Sequence, residues 1–493
     1  MTETAKKKRG MPSSFTILLA LLAIVAVITV IVSGTSGGAV TAARLSDFCT
    51  APIKGFADAL PVCLFVMILG GFLGMMTETG ALDNGIAVLV QKLKGNEIML
   101  IPVLMLIFSL GGTTYGMCEE TVPFYALLAA TMMAAGFDPM VGAATVLLGA
   151  GCGCLGSTVN PFAVGAAVDA LTGVGIEVNQ SIIIGLGAVL WIVTTAMSIF
   201  FVMNYAKKVK ADKGSTILSM QELKDAEEAH GKAASEVHKE VKLTGRQKGV
   251  LIAFAFTFVV MIVGFIPLAD LNEGVANFFD AGAVYDADGN AVVQGWSALI
   301  TGLPIGQWYF DEASTWFLLM ALIIGVIGGV SESRFVKAFI NGAADMMSVV
   351  LIIALARSIT VLMAKTGLDM WILNNAANAL AGMSAIIFAP LSFLLYIVLS
   401  FLIPSSSGMA TVSIPILGGL AHQLNFSVET MVMIYSAGNG LVNLFTPTSG
   451  AIMGGLALAK VEYSTWLKFG AKLFVVLGVV CIVILTAAMV ILS

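Results

Sequence analysis

Two adjacent carboxylates, Glu119 and Glu120, sit in the string GGTTYGMCEETVP (residues 111–123) between long apolar runs. An ionised carboxylate at the middle of a bilayer costs about 2.5 to 3.5 kcal/mol on insertion scales. A pair there needs a cation or a proton. It can hold an amine or guanidinium through charge-assisted hydrogen bonds, or bind a coupling H⁺ or Na⁺. If the tip instead reaches the cytoplasmic surface, both acids are merely solvated. Neighbours on a helix point about 100° apart, so at most one is expected to face a bound solute.

Further polar clusters interrupt the apolar sequence. Thr113 and Thr114 precede the acids; Ser157, Thr158 and Asn160 end the next apolar run; Ser405, Ser406 and Ser407 follow Pro404; and Asn439, Asn443, Thr446, Thr448 and Ser449 lie further on. Half-helix N-termini suit a solute carboxylate, and freed carbonyls suit Na⁺ or an ammonium. Any single Ser or Thr can equally bond back to its own helix. Arg357 is the other charge in an apolar run, able to neutralise a glutamate or to meet a solute carboxylate. Glycine-rich strings at 111–123 and 149–161 are read as the breaks in the apolar runs; within the second, Gly151-Cys-Gly-Cys154 reads as small-residue packing rather than a metal pair, and no zinc or disulfide spacing appears among the six cysteines.

Composition says what surrounds these groups. The 493 residues are 58% apolar and 11% charged, against about 25% charged in soluble proteins. Mean hydropathy is +0.97. This excludes a soluble enzyme and gives no sign of a nucleic-acid partner; the chain is an all-α polytopic membrane protein in contact with the lipid bilayer.

A cytoplasmic N-terminus (1–14) carrying Lys6 to Arg9 precedes the first span, 15–33, whose apolar core is too long for a signal peptide. The first transmembrane half runs over 15–204. In it a looser segment leads to a span at 60–76, then a short interfacial helix at 83–93. The arm 98–110 is better read as re-entrant than spanning and pairs with 121–135 in a hairpin, 98–135. A broken helix, 139–170, and a span, 180–204, complete the half. A polar cytoplasmic loop, 205–247, has a helical pattern, with His230 and His238 read as solvated. The second half, 248–493, has spans at 248–267, 315–331 and 347–364, and an acidic extracytoplasmic loop, 268–314. In that loop a β-hairpin is expected about Asp288-Gly289, since D-x-D-G-N lacks the glutamate of a calcium loop. A short amphipathic piece, 369–380, a hairpin, 386–420, a broken helix, 429–460, and a last span, 466–492, follow. Lys and Arg concentrate on one side of this map, which places the N-terminus in the cytoplasm and the C-terminus outside.

The halves echo each other. Gly80 and Gly367 are 287 residues apart, as are Gly95 and Gly382, and GMCEETVP (116–123) answers GMATVSIP (408–415). With the two hairpins opening to opposite faces, this is an inverted-topology repeat, the architecture in which solute binds near the midplane between broken helices.

The string GGTTYGMCEETVPFY resembles the signature of the YfcC family, allied to the anaerobic C4-dicarboxylate carriers of the ion transporter superfamily. Thr113, Thr114, Gly116, Met117, Glu119, Glu120, Thr121 and Pro123 match its core, while Gly151-Cys-Gly-Cys154 is idiosyncratic. The resemblance implies a homodimeric inner-membrane secondary carrier whose hairpins and broken helices move elevator-fashion against a scaffold. Members are described as basic amino acid antiporters. The expectation is therefore exchange of an arginine- or ornithine-like cationic amino acid, with no resident cofactor beyond coupling Na⁺ or H⁺. The rival is a Na⁺- or H⁺-coupled dicarboxylate carrier. A channel lacks continuous polar pore faces here, and an intramembrane enzyme lacks a His-Glu-x-x-His helix or a Ser/His pair.

Overall fold

The computed structural model describes residues 14–82, 84, 85, 88, 96–236, 242–266, 268, 273–285 and 291–493. The basic cluster at 6–9, most of the interfacial helix at 83–93, Gly95, His238 and the turn at Asp288-Gly289 lie outside them. Among the described residues nine helices are long and apolar enough to cross a membrane. Beyond the helices, the described residues hold one small antiparallel pair, Val284–Tyr285 with Ala291–Val293, where the hairpin was expected.

Two stretches without an expected helix are helical: Leu45–Asp58 and Glu332–Asp345. They stand 287 residues apart, the same offset as the repeat. Each packs along a span of the opposite half, Leu45–Asp58 on Met347–Thr366 and Glu332–Asp345 on Leu60–Glu78. Gly55 and Gly342 are the contact points. A Cβ on Gly55 would stand 2.5 Å from the Ala354 carbonyl, and one on Gly342 2.3 Å from that of Gly70. Their polar outer faces hid them, because a short amphipathic helix resembles a loop in a hydropathy profile.

These helices, together with Ser14–Ser33, Gly245–Phe265 and Phe310–Gly328, form one bundle. The second bundle holds both hairpins, both broken helices, Gln180–Ala211 and Tyr463–Leu492. In each half the hairpin arms pack on the broken helix far more than on each other: Leu100–Tyr115 and Val122–Ala134 flank Pro139–Leu155, while Ala385–Leu402 and Ser406–Gln423 flank Val428–Val442.

The first arm corrects the expected length. With its leading turn it runs Glu97–Tyr115, 19 residues and long enough to cross, and it stops at Gly116 in the left-handed conformation (φ +79°). Gly111 and Gly112 are therefore helical and not the break. A Cβ on Gly112 would meet the Ala150 carbonyl at 2.2 Å, and one on Gly153 the Ser109 carbonyl at 2.2 Å. The glycines let two backbones touch, the usual role of small residues between membrane helices. The same holds for Gly149 to Cys154, helical within Pro139–Leu155; the true interruption is 156–160, followed by a π-turn, Pro161–Gly165, and Ala166–Thr172. In the second half the interruption is 443–449, so Asn439 is still helical.

His230, expected to be solvated, is buried. It lies on Met220–Glu236 with its Nε2 3.0 Å from the Leu458 carbonyl, and Glu222 accepts from the Glu462 amide at 2.9 Å. This helix thus ties the arm Val122–Ala134 to the end of the second broken helix. Burial, reinforced by the Lys460 charge, holds the imidazole pKa below its ordinary 6.5. The docked helix therefore favours a neutral imidazole while the undocked one takes up a proton, so the contribution of His230 to docking is fully present above pH 6.5 and weakens as pH falls below it. Hydrogen exchange of the 220–231 amides, corrected for intrinsic rate, should accelerate as pH falls below about 6.5, and His230→Gln should remove that pH dependence.

Candidate solute site

The breaks of both halves meet. The hairpin turn at 116–121 ends one arm at Gly116 and starts the next at Val122, with Pro123 in its first turn. Opposite it, Pro404 precedes Ser405, whose side chain caps Ser406–Gln423 by accepting from the Gly408 amide at 3.2 Å. Asn160 caps the π-turn, its Oδ1 accepting from Phe162 and Ala163 amides at 3.0 and 3.3 Å. Between them is a cavity of about 140 Å³, walled also by Val62, Phe310, Ile353 and Arg357 from the first bundle. It is sized for a small solute and lies where the two bundles face each other.

Of the residues singled out by sequence, Glu119, Glu120, Asn160, Ser405, Ser406, Ser407, Asn439, Asn443, Thr448 and Ser449 line this cavity. Thr113, Thr114, Ser157, Thr158 and Thr446 do not. Thr113 donates to the Gly156 carbonyl at 2.7 Å and Ser157 to that of Cys154 at 2.6 Å. These hydroxyls satisfy carbonyls freed by the break, which hydrocarbon would leave unpaired. Thr114 bonds back to Leu110 at 2.6 Å, and the Thr446 hydroxyl lies behind Thr448 at 2.7 Å. Asn439 is the hub of the other wall: its Oδ1 accepts from Ser406 at 2.9 Å and from Asn443 at 3.1 Å.

Cys118 and Cys154 also face the cavity, a feature the packing reading of the cysteines missed. Residues 152 and 154 point to nearly opposite sides of a helix. Cys152 accordingly meets Ser198 at 3.1 Å in the interior, and Cys154 donates to the Met117 carbonyl at 3.3 Å on the cavity side.

The electrostatics are one-sided. Glu120 is buried, and its Oε2 accepts from the Cys118 amide at 2.9 Å. Among the described residues no Lys, Arg or His nitrogen lies within 4 Å of either glutamate carboxylate. Arg357, expected to neutralise one of them or to meet a solute, pairs instead with Asp58 at 3.1 Å. Among the described residues no cluster of His, Cys, Asp and Glu has the makings of a metal site.

Residues 35–490 match the family described as C4-dicarboxylate anaerobic carrier, DcuC. The chain belongs to that family. It is a membrane transporter, not an enzyme. A Haemophilus influenzae protein of uncharacterized function is 28% identical over 86% of this chain and 74% of its own. The Escherichia coli K12 protein named "Putative basic amino acid antiporter YfcC" is 27% identical over 88% of this chain and 78% of its own. Among solved structures, the Alcanivorax borkumensis YdaH transporter is similar at 15% identity and a TM-score of 0.47, covering 97% of this chain and 98% of that one. Neisseria gonorrhoeae MtrF is similar at 15% identity and 0.45, covering 98% and 96%.

Proposed function

We propose that this carrier exchanges basic amino acids, arginine- or ornithine-like, across the bacterial inner membrane. The observation that carries this reading is the pair of carboxylates on a cavity between two bundles, with no protein cation within ion-pairing distance among the described residues. Glu119 or Glu120 holds the side-chain cation. The Ser405 cap and the first-turn amides of Ser406–Gln423, with Asn160 opposite, receive the α-carboxylate. The name of the Escherichia coli relative supports the same substrate class.

Alternating access follows the division into bundles. The second bundle, with the hairpins re-entering from opposite faces, carries the solute past the first as an elevator. The first serves as the scaffold of a homodimer, with the N-terminus cytoplasmic and the C-terminus outside. A second reading, a Na⁺- or H⁺-coupled C4-dicarboxylate carrier, is favoured by the family's own description and by Arg357 in the wall. The Arg357 pairing with Asp58 and the excess of acid in the cavity weigh against it. Proteoliposomes loaded with ornithine or succinate and offered labelled arginine or succinate separate the two. Arginine uptake driven by internal ornithine is the expected result; succinate-only counterflow contradicts it.

A further inference from the structure

Arg357 shares the cavity with Glu119 and Glu120 but not their bundle. It projects from Met347–Thr366 in the first bundle, whereas both glutamates belong to the second. Its guanidinium is held by Asp58, whose side chain is 52% exposed, so protein closes this pair off on one side only. Across the same small cavity stand two carboxylates with no basic nitrogen of the described residues within 4 Å. Removing carboxylates from water without a cationic partner is unfavourable. A guanidinium on a flexible stem therefore has a half-exposed partner on its own bundle and two carboxylates, one of them the buried Glu120, on the facing one. The structure shows it on the first.

We propose that Arg357 is a tethered surrogate for the solute. Without solute its guanidinium leaves Asp58 and pairs with Glu119 or Glu120, pinning the second bundle to the first; a bound cationic solute returns it to Asp58 and frees the bundle to move. This rests on the cationic-solute reading above and adds to it a reason for exchange: the empty carrier is locked by its own arginine. The guanidinium suits the role, because it presents several donors to a carboxylate and keeps its charge at any physiological pH. Asp58 is the parking position that lets the solute compete.

The test uses purified full-length protein in proteoliposomes loaded with labelled ornithine, measuring efflux with and without external arginine. Wild-type efflux should need external arginine. Arg357→Ala should raise the ratio of unpaired efflux to exchange by about tenfold or more, whereas Arg357→Lys, still cationic, should keep that ratio low. Asp58→Asn, which removes the parking position, should raise the external arginine needed for half-maximal exchange several-fold, and adding Arg357→Ala should reverse that rise. An unchanged efflux ratio in Arg357→Ala overturns the inference, as does loss of both fluxes in protein that still elutes as one species, since Arg357 would then bind the solute. Should Arg357→Ala fail to fold, an unchanged half-saturation in Asp58→Asn overturns it by itself. A wild-type protein that moves no basic amino acid overturns the functional reading and this inference with it; a working exchanger that Arg357→Ala does not uncouple overturns this inference alone.

Discussion

Replacing both cavity acids, Glu119→Gln with Glu120→Gln, is expected to lower the arginine kcat/KM of the reconstituted carrier roughly 10- to 150-fold. That range corresponds to one charge-assisted hydrogen bond, about 1.5 to 3 kcal/mol, at 1.4 kcal/mol per decade. Glutamine keeps the shape and the acceptor. In particular, the side-chain carbonyl introduced by Glu120→Gln would still accept from the Cys118 amide, which now donates to Glu120 Oε2 at 2.9 Å. The hairpin turn should therefore survive while the charge is lost. The single substitutions should be unequal, because only one carboxylate is expected to contact the solute directly. Labelled arginine uptake at pH 7 measures this; uptake equal to wild type in the double variant would refute the cation-site role.

The second large effect concerns folding. Gly153→Ala places a methyl 2.2 Å from the Ser109 carbonyl and 2.8 Å from the Gly112 Cα. Both neighbours are backbone, so no rotamer change relieves the overlap, and the hairpin arm must separate from the broken helix. Overpacking of this kind costs about 1 to 3 kcal/mol, occasionally more, and each kcal/mol lowers a melting midpoint by roughly 2 to 4 °C in a domain of moderate size. Gly153→Ala should therefore melt about 2 to 12 °C lower in detergent. Gly185→Ala, whose added methyl meets nothing within 4 Å, should melt like the wild type.

That glycine contact also shows where sequence reading stops. Glycine in an apolar run signals either a break or a close approach, and composition does not separate the two. Gly111, Gly112 and Gly149 to Cys154 read as interruptions and proved to be contacts, while the interruptions sit a few residues later, at Gly116 and at 156–160. Spans, broken helices and the repeat were legible because lipid burial writes long apolar runs and because the two halves spell their turns alike. Glu119 and Glu120 stood out since acids in such runs are expensive. Thr113, Ser157 and Thr446 were indistinguishable in sequence from Ser406 or Thr448, because a hydroxyl that satisfies a freed carbonyl and one that faces a cavity occupy the same kind of break. The Asp58 partner of Arg357 and the burial of His230 depend on cross-half packing by amphipathic helices that hydropathy does not register.

The most direct test of the central claim is a cryo-EM map of the protein in lipid nanodiscs with saturating arginine. The account predicts solute density within the bilayer, bounded by the turn at 116–121 and the breaks at 404–407 and 443–449, with its guanidinium end on Glu119 or Glu120. Density bound away from both hairpin turns, or turns lying apart at opposite membrane surfaces with no common cavity, would contradict it.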